Sequence, residues 1–329
     1  MERPVRGRDN LVEQLVHACR SDPVIASGRG RMVVGFSGGP DSTALLHGLW
    51  RGARGLRLDL HVVHVDHGLR PSAAADSTSA IAFAAELGLS CRTVRVRPRG
   101  GGEDAARRAR HRALETVAAE FGAPTVALGH TADDQVETVL LHLIRGSGLE
   151  GIAAMTPREG LRFRPLLAVG RPQVEAYCAR NGLRPTEDGT NRDPRFARNR
   201  VRHELLPLLE DRFNPRIRDA VLRLAEAARQ EHDAVAAAAQ DWLGDRRGPL
   251  PRADFNRLPQ AVRVQALRRW WARTSGREQL PGGAALLSQA LRLVAGGDGG
   301  MIHLGSGFEL LVHGPEFEIR PRNGPLPPR

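Results

Sequence analysis

The sequence predicts an α/β fold in which a parallel sheet is covered by helices, and two observations carry that prediction. Short apolar runs alternate with helix-length segments through the first half of the chain, a pattern typical of parallel sheets. Gly88 and Gly122 follow two of the helical segments, where glycine commonly ends a helix. Such sheets bind ligands at the carboxyl ends of their strands, so we expect a functional site at that edge.

Four strands and four helices are expected in this half. The strands are predicted over 33–36, 58–65, 93–96 and 125–129. The helices are predicted over 41–50, 74–87, 103–121 and 133–144. The loops after the first, second and fourth strands should therefore meet at one edge of the sheet.

From about Asn214 the pattern changes. Apolar residues recur at helical spacing over 217–243 and predict one long helix. The segment 252–295 is expected to be helical with a break at Gly282-Gly283. A hairpin of 302–304 with 309–313 and a further strand over 317–320 should follow.

A glycine-rich turn links the first strand to the following helix. Its residues are Ser37, Gly38, Gly39, Pro40, Asp41 and Ser42. Backbone N–H groups converge at such a helix N-terminus, where the helix dipole is positive, so a phosphate fits there. The Asp41 carboxylate stands where Mg²⁺ would lie beside phosphate oxygens. An ordinary βα turn with a Ser or Asp cap is the alternative.

Polar residues also end the second and fourth strands. The second strand runs into His64-Val65-Asp66-His67-Gly68-Leu69-Arg70, for which a solvated turn is the alternative. After the fourth strand stand His130, Asp133, Asp134 and Glu137. Three acids and a histidine suit magnesium binding and proton transfer, although acids at a helix start also cap the dipole.

The charge of the chain favours a polyanionic partner. The net charge is +11, and every basic residue apart from histidine is arginine, whose planar fork suits phosphate. Arg107 and Arg110 share one helix face and could clamp a phosphate, with a solvated basic face as the alternative. A second basic cluster is formed by Arg198, Asn199, Arg200, Arg202 and His203. It suits a nucleic-acid backbone, with a helix start as the alternative.

The three cysteines, Cys19, Cys91 and Cys178, are far apart in sequence, which favours a reducing compartment. No apolar run is long enough to predict a membrane span, and no signal peptide is visible. We therefore expect a cytoplasmic protein without a membrane partner. Oligomeric state stays open between a monomer and a homodimer.

The motifs resemble a known family. The turn 37–42 resembles the pyrophosphate loop of the N-type ATP pyrophosphatases. The runs HVDHGLR (64–70) and LGHTADDQVETVLLHLIRGSGLEGI (128–152) resemble the tRNA(Ile)-lysidine synthetases within that superfamily. So do Ala106–His111, Asp188–Asn191 and Arg198–Glu204, although His111 stands where the family more often has tyrosine. The resemblance is strong over roughly 30–215 and general over 250–320.

The resemblance implies a reaction. ATP with Mg²⁺ adenylates the oxygen on carbon 2 of the wobble cytidine in a tRNA(Ile) with a CAU anticodon, and pyrophosphate leaves. The amine of free L-lysine then attacks that carbon, AMP leaves, and lysidine forms. The tRNA thereby changes from methionine to isoleucine identity.

The resemblance also implies roles for named residues. The ATP-binding residues would be Ser37, Gly38, Gly39, Pro40, Asp41, Ser42, Val65, Asp66 and His67, and Asp41 would hold Mg²⁺. The catalytic residues would be Asp41, Arg107, Arg110, His130, Asp133, Asp134 and Glu137. Which acid or histidine deprotonates lysine stays open. The tRNA-binding residues would be Arg198, Asn199, Arg200, Arg202 and His203.

The implied architecture has an adenine-nucleotide α-hydrolase-like N-terminal domain and a smaller, mainly helical C-terminal domain. We expect the catalytic domain over 1–215, a linker helix over 216–245, a substrate-binding or tRNA-binding domain over 246–322 and a disordered tail over 323–329. Trp270 and Trp271 could stack on RNA bases, although adjacent helix positions diverge, so at least one should be core.

Three rival functions remain. A free-nucleotide amidotransferase such as GMP synthetase needs a glutamine-hydrolysing partner or domain, and no nucleophile-elbow cysteine is visible. Another adenylating enzyme of the superfamily, such as a tRNA thiolase, needs reactive or cluster-binding cysteines, and the three cysteines show no such spacing. A non-enzymatic RNA-binding protein on a decayed nucleotide fold should have lost the phosphate loop or the acids, and both are complete.

Overall fold

A computed structural model describes residues 10–27, 30–66, 73–97, 103–186, 195–277, 280–297 and 299–322. The predicted ATP-binding residue His67, the motif Asp188–Asn191 and the predicted tail 323–329 lie outside the described residues. The chain divides into two compact units, Met1–Glu226 and Ala227–Arg329. This division falls inside the predicted linker segment, whose role as a linker stays a prediction.

The first unit alternates strands and helices as the sequence predicts. Its strands are β1 Arg31–Gly35, β2 Asp59–Asp66, β3 Cys91–Arg95, β4 Val126–Ala127, β5 Arg158–Glu159 and β6 Arg162–Phe163. Its first helices are α1 Asn10–Ser21, α2 Pro23–Ala26, α3 Pro40–Leu56, α4 Ala73–Glu86, α5 Glu103–Phe121, α6 Ala132–Ile144 and α7 Leu149–Ile152. Then follow α8 Arg171–Arg180, α9 Ala197–Arg200, a π-helical turn Val201–Leu205, α10 Leu206–Arg212 and the start of α11 Ile217–Leu243.

The six strands form one sheet in the order β3-β2-β1-β4-β6-β5. All neighbouring pairs are parallel except β5 with β6. The sequence did not predict β5 and β6, because each has two residues and carries no readable periodicity. The parallel α/β class is confirmed.

Helices bury both faces of this sheet. Along β1, Met32 and Val34 contribute to one apolar core and Val33 to the other, as the two-residue period of a strand requires. Helices α1, α3, α4 and α8 contribute to the first core and α5 to the second. This double cover leaves the strand ends as the open edge of the sheet.

The second unit is smaller and contains both helices and strands. It contains the remainder of α11, then β7 Leu250–Pro251, α12 Arg252–Arg257, α13 Gln260–Ser275, α14 Gly283–Ala295, β8 Gly300–Gly305, β9 Phe308–His313 and β10 Glu316–Pro321. The strands form an antiparallel sheet in the order β7-β10-β9-β8. Helix α11 and the hairpin of β8 with β9 are present as the sequence predicts.

The expectation that at least one of the two adjacent tryptophans is core is confirmed, and neither ring is exposed for stacking on RNA bases. Trp270 is 1% exposed and Trp271 is fully buried in the core of the second unit. Trp270 packs edge-on against Phe317, and Trp271 packs edge-on against Phe308. Both rings are core because apolar side chains surround α13 on both of the sides towards which the two rings point.

No helix among the described residues is both long enough and apolar enough to cross a membrane.

Candidate active site

The turn between β1 and α3 is closed by its own serines. Ser37 N donates to Ser42 Oγ at 3.2 Å, and Ser42 Oγ lies 3.0 Å from the Gly39 carbonyl. Gly38 has φ +84°, which residues with a side chain rarely adopt. Pro40 starts α3, where its missing N–H costs nothing. The amides of the first turn of α3 therefore keep their capacity to bind an anion.

The end of β4 approaches this turn closely. A Cβ atom on Gly129 would lie 3.1 Å from the Asp41 carbonyl and from Ser42 N, so only glycine permits the approach. The approach brings His130 and the start of α6 to the phosphate loop. The expectation that the loops after the first and fourth strands meet is confirmed.

Three helices begin at this edge, and Arg171 connects them. Arg171 N, at the start of α8, donates to Asp133 Oδ2 of α6 at 2.7 Å. The Arg171 guanidinium lies 3.5 Å from Asp41 Oδ2 of α3. Convergence of three helix N-termini creates a positive potential that suits a polyphosphate.

Asp41 is the phosphate-loop carboxylate. Burial raises its pKa to about 6, while the nearby Arg171 opposes that rise and Asp134 adds to it. Its Oδ1 is buried and has no hydrogen-bond partner among the described residues. A buried carboxylate oxygen with an unused lone pair suits a hard cation such as Mg²⁺, which usually takes one or two protein carboxylates and completes its shell with phosphate and water.

Two acids of α6 are paired with arginines of the segment 197–205. Glu137 is 1% exposed; its Oε2 accepts from Arg198 Nε at 2.6 Å and its Oε1 from Arg202 Nε at 2.5 Å. Asp134 Oδ1 accepts from Arg198 Nη2 at 2.9 Å. Asp134 Oδ2 accepts from Thr131 N at 2.8 Å and so caps α6. We call Asp134, Glu137, Arg198 and Arg202 the paired network.

Asp133 points to the start of α11. Its Oδ1 accepts from Arg218 Nη1 at 2.6 Å, and Arg218 Nε also donates to Glu210 Oε1 at 2.6 Å. Asp133 thus joins α6, α8 and α11 within the first unit. Both of its oxygens are used in these contacts.

A second group beside α6 contains cations without a matching number of acids. Its members are Arg107, Arg110, His111, His130 and Arg164, which we call the cationic cluster. Arg164 is 1% exposed and pairs with Glu159 at 2.6 Å. Burial lowers the pKa of Arg107, and the nearby Arg198, Arg110 and Arg164 lower it further.

The two histidines of the cationic cluster are held neutral. Burial lowers the pKa of His111 to about 3, and Arg110 and Arg107 add to the effect. Burial also lowers the pKa of His130; Asp134 opposes this shift and Arg107 adds to it. His130 Nδ1 and His111 Nε2 are buried and have no hydrogen-bond partner among the described residues.

Comparison with known proteins relates most of the first unit to a described family of domains. Residues 9–209 match the family model described as a PP-loop domain. The tRNA(Ile)-lysidine synthase of Thermobifida fusca is 43% identical over 246 residues, 72% of this chain and 75% of that protein. The tRNA(Ile)-lysidine synthase of a Bradyrhizobium species is 38% identical over 302 residues, 84% of each chain.

The chain belongs to the tRNA(Ile)-lysidine synthase family. The family member of Symbiobacterium thermophilum is 40% identical over 292 residues, which cover 82% of this chain but 60% of that relative. The chain thus spans less than two thirds of that relative's length. A solved structure, the U34-tRNA thiolase NcsA from Methanococcus maripaludis with its [4Fe-4S] cluster, superimposes with a TM-score of 0.55 at 17% identity, over 67% of this chain and 79% of that chain. This likeness shows the shared fold.

The described residues predicted to bind ATP lie at the ends of two adjacent parallel strands, β1 and β2. The turn 37–42 lies together as one loop, while Val65 and Asp66 form the end of β2. Asp66 is partly buried, and its Oδ2 lies 3.7 Å from Arg95 Nε. Contact of these residues with nucleotide stays a prediction.

The residues predicted to bind tRNA divide into two groups. Arg200 and His203 are exposed, and Asn199 is half-buried. Arg198 and Arg202 are instead turned towards Glu137, with 18% of each side chain exposed. A basic run in sequence therefore becomes two sets of side chains, because residues four apart, such as Arg198 and Arg202, share one face of a helical segment.

The sequence analysis missed three arginines of this edge. Arg171, Arg218 and Arg164 stand in separate segments without a motif around them, and each reaches the site only through the fold. The start of α8 after Gly170-Arg171-Pro172 is a sequence signal that could have indicated Arg171, since proline favours the first turn of a helix.

Proposed function

We propose that this chain ligates free L-lysine to carbon 2 of the wobble cytidine of a CAU-anticodon tRNA(Ile), through an adenylated intermediate made from ATP. The observation that carries the proposal is the meeting of the phosphate loop and the acids of α6 at one sheet edge. Arg171 lies between them, with its N–H on Asp133 and its guanidinium near Asp41. Adenylation and amine attack need these two sets of groups side by side.

The phosphate loop would bind the pyrophosphate that leaves. The amides of the first turn of α3 and the Arg171 guanidinium supply donors and positive charge for it. Asp41 would hold Mg²⁺ through its unpartnered oxygen. When bound, the ion supplies further charge stabilisation to the phosphate oxygens.

The cationic cluster would face the phosphate that stays on the cytidine. Arg107 and Arg110 are candidates for this contact because they approach the same edge from α5. An excess of guanidinium groups in a partly buried place is costly until an anion arrives. The cluster therefore suits the anionic phosphodiester of the adenylated cytidine or a transition state that gains negative charge.

The paired network would hold the ammonium group of lysine. Asp134 and Glu137 accept hydrogen bonds from Arg198 and Arg202, and the pairing with Arg198 helps to keep the pKa of Asp134 below its ordinary value. An ionised carboxylate attracts an ammonium group but is a weak base. These acids therefore suit binding better than proton removal.

His130 is our choice for the group that accepts the lysine proton. Its imidazole is neutral because burial and the surrounding arginines lower its pKa. A phosphate bound to those arginines would cancel part of their charge and raise the pKa of His130. The base would then gain strength after adenylation, when the amine must lose its proton.

Arg200, His203 and Asn199 would contact the tRNA backbone from the exposed side of the helical segment, with Arg198 and Arg202 placed behind them. The net charge of +11 supports a polyanionic partner. We place the reaction in the cytoplasm, since the three cysteines are free thiols, as a reducing compartment favours.

Sulfur transfer is the rival reaction, and the cysteines do not favour it. Burial raises the pKa of Cys19 to about 12 and that of Cys178 to about 11, and it also raises the pKa of Cys91. A thiol must ionise to act as a nucleophile or to carry a persulfide. All three are therefore poor sulfur carriers.

The test is a labelling experiment. The purified chain is incubated with ATP, Mg²⁺, labelled lysine and an unmodified CAU-anticodon tRNA(Ile) transcript, with elongator methionine tRNA as the control substrate. The RNA is then digested and lysidine is sought by mass spectrometry. Asp41→Asn protein is the matched enzyme control.

We expect label in the isoleucine tRNA alone and none with the variant. Absence of lysidine with continued tRNA-dependent release of AMP would refute lysine as the nucleophile and retain adenylation. Absence of both would refute the proposed reaction altogether.

A further inference from the structure

Arg107 on α5 has an unusual set of neighbours. Its Nη2 lies 3.9 Å from Met155 Sδ, and no carboxylate of the described residues forms an ion pair with it. The nearby charges that lower its pKa are Arg198, Arg110 and Arg164. This guanidinium therefore donates to a thioether, and Asp134 offsets only part of the positive charge around it.

A thioether is well suited to that task. Sulfur in methionine is polarisable and accepts hydrogen bonds weakly. It can fix the direction of a guanidinium without neutralising it, whereas a carboxylate in the same place would compete with an incoming phosphate. Met155 is 7% exposed, so its side chain has little freedom to leave.

The backbone of Met155 is fixed from α6. Gln135 Nε2 donates to Met155 O at 2.8 Å, and Met155 N donates to Gln135 Oε1 at 2.9 Å. Gln135 is 8% exposed, and both polar atoms of its side-chain amide bond to the backbone of Met155. Such a two-point contact sets both the position and the orientation of the Met155 peptide groups.

The residues on either side of Met155 are also constrained. Ala154 has φ +51°, a left-handed conformation that is costly for a residue with a side chain and tends to persist only where the surroundings impose it. Arg164 Nη1 donates to Thr156 O at 2.9 Å. The chain therefore passes Arg107 in one defined conformation, held by Gln135 on one side and by Arg164 on the other.

We infer that Gln135 and Met155 are positioning residues: Gln135 fixes the Met155 backbone so that the Met155 thioether holds the Arg107 guanidinium, still charged, against a phosphate of the substrate. The inference rests on the proposed function, because that function supplies the phosphate. The phosphate belongs either to ATP or to the tRNA backbone, and both present the same chemistry to Arg107.

The experiment is a double-mutant cycle on the full chain. Met155→Leu keeps the volume and removes the sulfur, a change that cores tolerate. Wild type, Met155→Leu, Arg107→Ala and the double variant are compared in binding of the non-hydrolysable α,β-methylene analogue of ATP with Mg²⁺. The same four proteins are compared in filter binding of the tRNA(Ile) transcript.

We expect Met155→Leu to weaken binding by about three- to tenfold in the wild-type background and to have no further effect once Arg107 is alanine. Coupling in the analogue measurement assigns the phosphate to ATP, and coupling in the tRNA measurement assigns it to the RNA. Equal losses in both backgrounds, for both ligands, would overturn the inference.

Two further proteins separate positioning from simple loss of packing. Met32→Leu, at a fully buried methionine of β1, is the matched control and should show no coupling to Arg107→Ala. Gln135→Leu should reproduce the loss seen for Met155→Leu and show the same dependence on Arg107, and independence from Arg107 would contradict the role of Gln135. Neither binding measurement depends on lysine, so failure of lysidine formation alone leaves this test intact.

Discussion

The paired network and the cationic cluster lie on adjacent sides of α6 and differ in how their charges are balanced. In the paired network, the carboxylates of Glu137 and Asp134 meet two guanidinium groups at 2.5–2.9 Å. In the cationic cluster, the charges that act on Arg107 are three arginines and a single acid, Asp134, and its hydrogen-bond acceptor is a thioether. The paired network is neutralised inside the protein, whereas in the cationic cluster Arg164 pairs with Glu159 but Arg107 forms no ion pair with a carboxylate of the described residues.

The difference separates charges that the protein itself neutralises from charges that it leaves for an anion. A buried charge that already has its partner is strongly destabilising when that partner is removed. A charge held without a partner lowers stability in the free protein and is relieved by binding an anion. Substitutions in the two groups should therefore affect stability and binding in opposite proportions.

The largest effect is expected at Asp41, which belongs to neither group and is proposed to hold Mg²⁺. Asp41→Asn keeps the shape and removes the charge, so turnover should fall by roughly 10³-fold. Affinity for tRNA should stay nearly unchanged, since the proposed RNA contacts lie elsewhere. Filter binding with the transcript measures this, and lost tRNA affinity would contradict the division of roles.

Removal of the central acid of the paired network should destabilise the fold. Glu137→Gln leaves two guanidinium groups without their carboxylate, which should lower the free energy of unfolding by about 3 kcal/mol. Urea denaturation is the measurement. Glu204→Gln, at an exposed glutamate of the π-helical turn, is the matched control and should change the free energy little.

The cationic cluster should give the protein an acid-sensitive stability. His111 has its pKa lowered to about 3 in the folded protein, so its contribution is complete above the ordinary histidine pKa and is lost as the pH falls below that value. Between about pH 7 and pH 5 this single group should remove about 2 kcal/mol of unfolding free energy. His111→Asn should flatten the profile by that amount. An unchanged slope would mean that His111 is protonated in the fold.

Arg107→Ala tests whether the cationic cluster binds an anion. Its removal relieves repulsion among the cations, so unfolding free energy should change by less than about 1 kcal/mol, in contrast to Arg198→Ala with about 3 kcal/mol. Inorganic phosphate should raise the melting temperature of wild type more than that of Arg107→Ala, because the ion binds the folded state. Equal shifts in the two proteins would refute anion binding at Arg107.

The smallest effect is expected at Arg200, which should differ from Arg202 in the same helical segment. Arg200→Ala should leave stability unchanged and lower the slope of log affinity for tRNA against log salt by about 1. Arg202→Ala should lower stability instead, since its guanidinium contacts Glu137. Identical salt slopes for wild type and Arg200→Ala would show that Arg200 does not contact phosphate.

Much of the first unit was predictable because its signals are local. The glycine turn 37–42, the helix α5 over 103–121 and the helix α11 over 217–243 follow from residues close in sequence. Hydrophobic periodicity and turn chemistry act within one element, so one sequence is enough to read them.

Three features could not be predicted from local patterns. They are the short strands β5 and β6, the burial of both Trp270 and Trp271, and the inward direction of Arg198 and Arg202. A strand of two residues has no period, and a basic run does not reveal which of its members face an acid. These properties depend on neighbours brought from elsewhere in the chain.

The sequence by itself determined the fold class, the glycine turn with Asp41, and the acids of α6, but not the arginines Arg164, Arg171 and Arg218. Only the tertiary structure decided which charges are paired and which are left for a ligand. The physical reason is that Arg198 and Glu137 are 61 residues apart, and Arg107 and Met155 are 48 residues apart. Contacts over such separations form through the packing of whole helices, which no local pattern encodes.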